Sequence, residues 1–473
     1  MSTTAPVRNP WVVLATTSLA VFAVFLDTTI LFVAFPSIGA DFPDVSASSL
    51  SWVLNAYTIV FAALLIPAGR LADRLGRRKV FLAAVVLFTV ASMLCGIAPN
   101  PPLLVLARIL QSVGAAALVP ASLALVLQTF PREKVPVAVA IWGAIAAVAG
   151  AAGPTLGALV VENFGWRWAF YINLPVGIFS FVMGRRVLPE WRESNPGRLP
   201  DPGGVVLLAS GLALAAFAIV QTDEWGWLDT RVLAAAGVSV VLVGAFVWRC
   251  RAVSNPLLDL RLFRSPSFRW ANTGLLVFSI GFNAMFLGNV LFLTQVWGYS
   301  VLKAGLAIAV GPSIVAATAP FLGRLAGRIG QRRLLVPGGL VWASGGVYLM
   351  LVAETTPDYV GAYLPAVVLT GLGVALCLPQ LSSAAVQGLP PEQFGSGSAV
   401  TQAVRNLGAT FGVALVLAFV ADITPATALD SFHRAWWVLI VSGLAVTATA
   451  LRLPIRRPNP ATAPSTAAVV EVS

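Results

Sequence analysis

Long apolar runs broken by short polar or basic turns fill the chain from end to end. Runs of roughly 20 residues, enough to cross about 30 Å of hydrocarbon, fall near 11–34, 50–69, 79–98, 103–129, 136–160, 168–188, 203–221, 231–249, 270–293, 301–322, 333–353, 360–388, 398–420 and 433–453. Each reads as a membrane helix, so the pattern predicts an all-α integral membrane protein with 14 transmembrane helices. The first run, Trp11 to Phe35, is too long for the core of a signal peptide and lacks a clear small-residue cleavage site. It is read as the first span.

The polar turns are not equivalent. Gly69-Arg-Leu-Ala-Asp-Arg-Leu-Gly-Arg-Arg-Lys79 follows the second run, and Gly323-Arg-Leu-Ala-Gly-Arg-Ile-Gly-Gln-Arg-Arg333 follows the tenth. Seven of the eleven positions match at an offset of 254 residues. A basic hairpin used twice marks two related halves, the build of many secondary transporters. A plain repeat of six helices would put the second copy after the eighth run, so two helices are inserted between the halves. The layout reads 6 + 2 + 6: residues 1–190 as one six-helix bundle, 191–264 as a linker with two inserted helices, 265–457 as the second bundle. Residues 458–473 read as a disordered cytoplasmic tail rich in Pro, Thr and Ala.

Charge settles the orientation. If the N-terminus is cytoplasmic, 24 of the 30 basic residues collect on one face, including both hairpins. The opposite face holds Arg167, Arg231, Lys303 and Arg434, while Arg108 and Arg405 fall inside helices. By the positive-inside rule both termini are then cytoplasmic. The net charge of +11 is therefore a matter of topology and not a nucleic-acid footprint.

Composition agrees. Hydrophobic residues make up 58% and charged residues 10%, against roughly 25% charged in a soluble domain; mean hydropathy is +0.87. Cys95, Cys250 and Cys377 are scattered through apolar runs without metal or redox spacing. Arginine outnumbers lysine 27 to 3 and alanine is abundant, as in a GC-rich bacterial genome, so the bacterial cytoplasmic membrane is the expected location.

Few residues inside the spans carry chemistry. Asp27 lies about 11 Å from the outer end of the first span at 1.5 Å per residue, and an acid at that depth is costly unless it is used. Burial can raise an aspartate pKa by roughly 3–5 units, into the range where a proton loads and leaves. The bland alternative is a structural acid paired permanently with a cation. Arg108, about 8 Å from the outer end of the fourth span, stays charged and wants a carboxylate. Held near Asp27 it would favour proton release; held apart it would let Asp27 keep the proton. A permanent structural salt bridge is the alternative. Gln111, one turn on, can extend the polar patch.

In the first hairpin, Gly69 permits close approach, Gly76 supports the turn, and Asp73 can accept from Arg74, Arg77 or a helix N-terminus. Such a cluster can latch the cytoplasmic ends of the halves, whereas the second copy, with Gly327 in place of the acid, can serve as a topology anchor alone. Gly153, Pro154 and Gly157 in the fifth span allow tight packing and a kink. Arg405 either snorkels to the cytoplasmic headgroups or lines a central cavity. Asn55, Tyr57, Gln111, Asn283 and Gln380 are further candidates for that cavity. His433 and nearby tryptophans suit an interfacial aromatic belt.

These motifs together resemble the fourteen-helix drug:proton antiporter branch of the major facilitator superfamily, over nearly the whole chain. Leu26–Pro36 is similar to that branch's first-helix signature, Gly69–Lys79 to the superfamily's loop motif, and Arg108–Ala116 to its fourth-helix motif. Gly153–Gly157 is similar to the antiporter motif, and Trp166–Gly177 is also similar to the branch. Ser112, Ala149 and Ala158 stand where glycines are usual, which affects packing more than mechanism. The resemblance implies the major facilitator fold and proton-driven export of amphipathic, often cationic compounds by alternating access. It links Asp27 to coupling, Arg108 to proton transfer and the hairpin to gating. The gradient is then the driving force, no cofactor is needed, and the partners are protons, a small amphipathic substrate and lipid around a monomer.

Other functions fit less well. No Gly-Lys-Ser/Thr phosphate loop occurs, which argues against an ATP-driven pump. One His, three scattered Cys and one buried acid do not make an enzyme's cluster. A lipid or glycolipid exporter, or a nutrient importer by proton symport, remains the rival within transport.

Overall fold

The computed structural model describes residues 9–131, 134–190, 201–387, 389, 394–420 and 427–454; the predicted tail at 458–473 and residues 191–200 of the linker lie outside the described residues. Helix dominates, and no strand occurs among the described residues. The long helices are α1 (Pro10–Asp41), α2 (Trp52–Leu75), α3 (Arg77–Gly96), α4 (Pro101–Thr129), α5 (Val135–Phe164), α6 (Asn173–Val187) and α7 (Pro202–Val220). They continue as α8 (Thr230–Ala252), α9 (Pro266–Leu291), α10 (Val301–Ile329), α11 (Gln331–Val352), α12 (Leu364–Gln387), α13 (Phe394–Val420) and α14 (Ala428–Leu451). Twelve helices among the described residues are long and apolar enough to cross a membrane, which makes this a multi-pass membrane protein. The other two long ones are α5, with 30 residues, and α6, with 15. The single span expected at 168–188 is divided at Ile172, where the short helix Trp168–Tyr171 ends and α6 begins.

Local chemistry sets the helix starts. Asn9, Asn100, Asp201 and Ser265 each accept a backbone N–H of the following first turn, and each is followed directly by proline. The side-chain oxygen satisfies one orphan donor, and the proline removes another while presetting the backbone. The two hairpin turns share one device: Gly76 and Gly330 stand at φ 110 and φ 88, a conformation that a side chain resists. The repeat extends to the neighbouring arginines. Arg78 donates to the Arg185 carbonyl at the end of α6, at 2.6 Å, and Arg332 donates to the Leu453 carbonyl just beyond α14, at 3.2 Å.

Packing repeats at an offset of eight helices. α1 lies on α5 as α9 lies on α13, α3 on α4 as α11 on α12, and α3 on α6 as α11 on α14. The two sets meet along two seams, α5 against α10 and α2 against α13. α7 and α8 pack on each other, and α7 lies across the second seam, with Leu212 and Ala216 against Ile59 of α2 and Leu407 and Phe411 of α13.

The core is shared unequally between the two ends of the bundle. Away from the hairpins, one cluster runs through both sets, from Leu26–Ile38 of α1 to Phe286–Leu291 of α9 and Ala304–Ile308 of α10. Phe32 and Phe286 touch across it, ring centroids 5.3 Å apart. The same end is pinned by Glu162 of α5, whose carboxylate accepts the backbone N–H of Leu302 in the first turn of α10. Toward the hairpins the core divides into one cluster per set, with Ile66 of α2 reaching the second. The sets are closed together at the far end and divided at the hairpin end.

Candidate functional site

Asp27 and Arg108 meet. Arg108 Nη1 donates to Asp27 Oδ2 at 2.6 Å, and the residues are 2% and 1% exposed. The remaining carboxylate oxygen is also used: Gln111 Nε2 and Asn173 Nδ2 donate to Oδ1 at 2.9 and 3.0 Å. Arg108 spends its other donors on the Val53 carbonyl (3.1 Å) and on Gln111 Oε1 (2.6 Å). The guanidinium lies 4.0 Å over the Tyr57 ring, which adds cation–π attraction. Asn173 also donates to Ser92 Oγ, which donates in turn to the Phe170 carbonyl. One network therefore ties α1, α2, α3, α4 and α6.

Sequence periodicity explains the convergence. Arg108 and Gln111 are three apart on α4 and share a face. Asn173 opens α6 just after the division at Ile172, which places its amide at the depth of Asp27. α5 joins by contact. A Cβ on Gly153 would fall 1.9 Å from Thr29 Oγ1, and one on Gly157 would fall 3.1 Å from Ile30 Cα. Both glycines are needed for α5 to lie this close to α1, two to three residues from Asp27. On its other side α5 meets α10, where a Cβ on Gly305 would come within 2.6 Å of the Pro154 carbonyl oxygen. The motif is thus the hinge between the site and the first seam.

Asp27 is surrounded by N–H donors from Arg108, Gln111 and Asn173. Three of its roughly four lone-pair sites are used, two on Oδ1 and one on Oδ2. Removing one partner of such a buried pair typically costs about 3–5 kcal/mol, because the other charge is stranded.

The hairpin residues gather as expected in part. Asp73 accepts from Arg77 Nε at 2.9 Å, and Arg77 Nη1 reaches the Ala124 carbonyl of α4. Gly69 faces Pro120, Gly76 makes the turn, and Arg74 is exposed. Among the cavity candidates, Asn55, Tyr57, Gln111, Asn283 and Gln380 are all 8% exposed or less. Gln111 bonds into the charge network and Tyr57 lies under its guanidinium, while Asn283 donates back to the Ser279 carbonyl of its own helix. Arg405 is partly exposed and lies across the division, its Cζ 5.8 Å from the Phe25 ring of α1. Asn173 and Ser92 were not anticipated. Asn173 falls within the segment Trp166–Gly177 already noted as similar to the branch, whereas Ser92 was only a hydroxyl in an apolar run, which is common in membrane helices.

A doubled helix bundle holding a buried charge network in one half is the build of a membrane transporter. A model of the Major Facilitator Superfamily matches residues 17–413, and again 273–470. The chain belongs to that superfamily. It is 34% identical to the multidrug resistance protein Stp of Mycobacterium tuberculosis over 429 residues, covering 90% of this chain and 79% of that one. It is equally 34% identical to the cephamycin export protein CmcT of Amycolatopsis lactamdurans over 451 residues, covering 92% and 90%. Its fold matches that of a D-xylose–proton symporter with a TM-score of 0.68 at 15% identity, over 94% of this chain and 97% of the symporter.

Proposed function

We propose that this chain is a proton-coupled antiporter that exports amphipathic drugs or antibiotics, cationic ones among them, across the bacterial cytoplasmic membrane by alternating access. Its relatives include drug-resistance and antibiotic-export proteins. The observation that carries the coupling is the Asp27–Arg108 pair, the one acid–base pair among the described residues with both side chains about 1% exposed.

In this reading all fourteen long helices span the membrane as 6 + 2 + 6, the hairpin face and both termini are cytoplasmic, and the protein works as a monomer without a cofactor. The division between the sets then opens inward. Asp27 is held here by Arg108. Opening to the outside lets a proton reach Asp27, which loosens the pair and the substrate site together. On return the pair re-forms and the proton leaves inward. Each proton moving down about 100 mV supplies roughly 2.3 kcal/mol, enough for more than a tenfold gradient of a neutral substrate at about 1.4 kcal/mol per decade.

The test is drug-driven proton release in proteoliposomes, wild type against Asp27→Asn, over a panel of cationic dyes and antibiotics. Release in wild type and none in the variant supports the proposal. Export that continues in the variant without proton movement would sink it.

A further inference from the structure

Arg405 sits eleven residues into α13, about 16 Å from its hairpin end at 1.5 Å per residue, on a helix that lines the second seam. Among the described residues no carboxylate lies within 4 Å of it, and no hydrogen bond from its guanidinium is found. The other arginine inside the bundle, Arg108, has a carboxylate, a carbonyl and an amide oxygen. A guanidinium offers five N–H donors and does not neutralise. What faces Arg405 is the Phe25 ring of α1, from the opposite set.

Its neighbours repeat the pattern. Gln402 Nε2 and Asn406 Nδ2 are buried atoms with no hydrogen-bond partner. Gln402 lies three residues before Arg405 and four before Asn406, so the three side chains share one stripe of the helix. Asp27 does not answer Arg405: its one ion pair among the described residues is with Arg108. One stripe at the division between the sets therefore presents donors in surplus and an aromatic face.

We infer that Arg405, Gln402 and Asn406 form a substrate subsite for an anionic group, a carboxylate carried on an aromatic or otherwise apolar body. The carboxylate takes the guanidinium in a bidentate pair with the amide N–H groups alongside, and the apolar body packs on Phe25. The inference rests on the reading of the chain as an exporter and narrows its substrates toward acidic or zwitterionic amphiphiles. A cationic substrate gains nothing from this subsite and binds elsewhere in the interior.

The test uses three probes with one skeleton: pyrenebutyrate, its methyl ester and pyrenebutylamine, with binding to the purified full chain in nanodiscs read by fluorescence. Wild type should bind pyrenebutyrate about tenfold or more tighter than the ester or the amine, the scale of a charge-assisted pair. Arg405→Gln should erase that preference while leaving ester binding within about twofold, and Arg405→Lys should retain part of it. Equal binding of all three probes by wild type, or a carboxylate preference that survives Arg405→Gln, overturns the subsite. If Arg405→Gln does not fold, the Arg405→Lys and Gln402→Ala variants carry the same comparison. Ligand binding is independent of proton release, so failure of the antiport reading in the Asp27→Asn experiment stays distinguishable from failure here.

Discussion

The Asp27 carboxylate and the Arg108 guanidinium answer each other in a closed site, with two amide donors alongside. That makes the energetics of Asp27 and Arg108 reciprocal. Asp27→Asn strands the guanidinium, and Arg108→Gln strands the carboxylate; each should lower stability by about 3–5 kcal/mol, seen as a fall in thermal unfolding temperature in detergent. The double variant should recover much of that loss, because neither charge is then left alone. It should still release no protons when drug is added. A double variant as unstable as the worse single one would mean that packing, not charge, governs this site. Asp27 and Arg108 were legible in the sequence because a charge at mid-span is rare. Asn173 and Ser92 were not, because uncharged polar groups in membrane helices so often satisfy their own backbone, as Asn283 does.

At the scale of the helix, close approach decides what is tolerated. Gly153→Val should strongly destabilise the protein, since even its Cβ would meet Thr29 at 1.9 Å. Overpacking of this kind costs typically about 1–3 kcal/mol or more. Gly150, one turn earlier on α5, has nothing within 4 Å of its Cβ position, so Gly150→Ala should change the unfolding temperature little. Gly76→Ala should cost about 1 kcal/mol through backbone strain at φ 110. Parallel thermal melts of the three variants check the order. The apolar runs gave every long helix its place in the sequence. The break at Ile172 was not read from the sequence, although Pro175 in the first turn of α6 marks it, because the surrounding residues form one continuous apolar run.

For the molecule as a whole, closure at the far end is the feature a transport cycle must undo. Glu162 holds α10 by its first turn, where a negative charge also meets the positive end of the helix. Glu162→Gln keeps a hydrogen-bond acceptor and loses that charge. In a cysteine-free background, Ile308→Cys should therefore react faster with a membrane-impermeant thiol reagent added at the far face when Glu162→Gln is present. Unchanged labelling would show that the shared apolar cluster holds the end shut without help. The doubled architecture was legible from the two hairpins alone, down to the matching glycine turns. The path of α7 was not, since composition does not say which groove a helix occupies.

That path breaks the symmetry of the two seams. α7 lies over the joint between α2 and α13, whereas the joint between α5 and α10 carries exposed Leu156, Leu159, Leu306 and Phe321 on its two helices. A molecule dissolved in the bilayer therefore meets a covered flank on one side and a bare one on the other. Among the described residues the α5–α10 joint is the one of the two seams that no inserted helix covers.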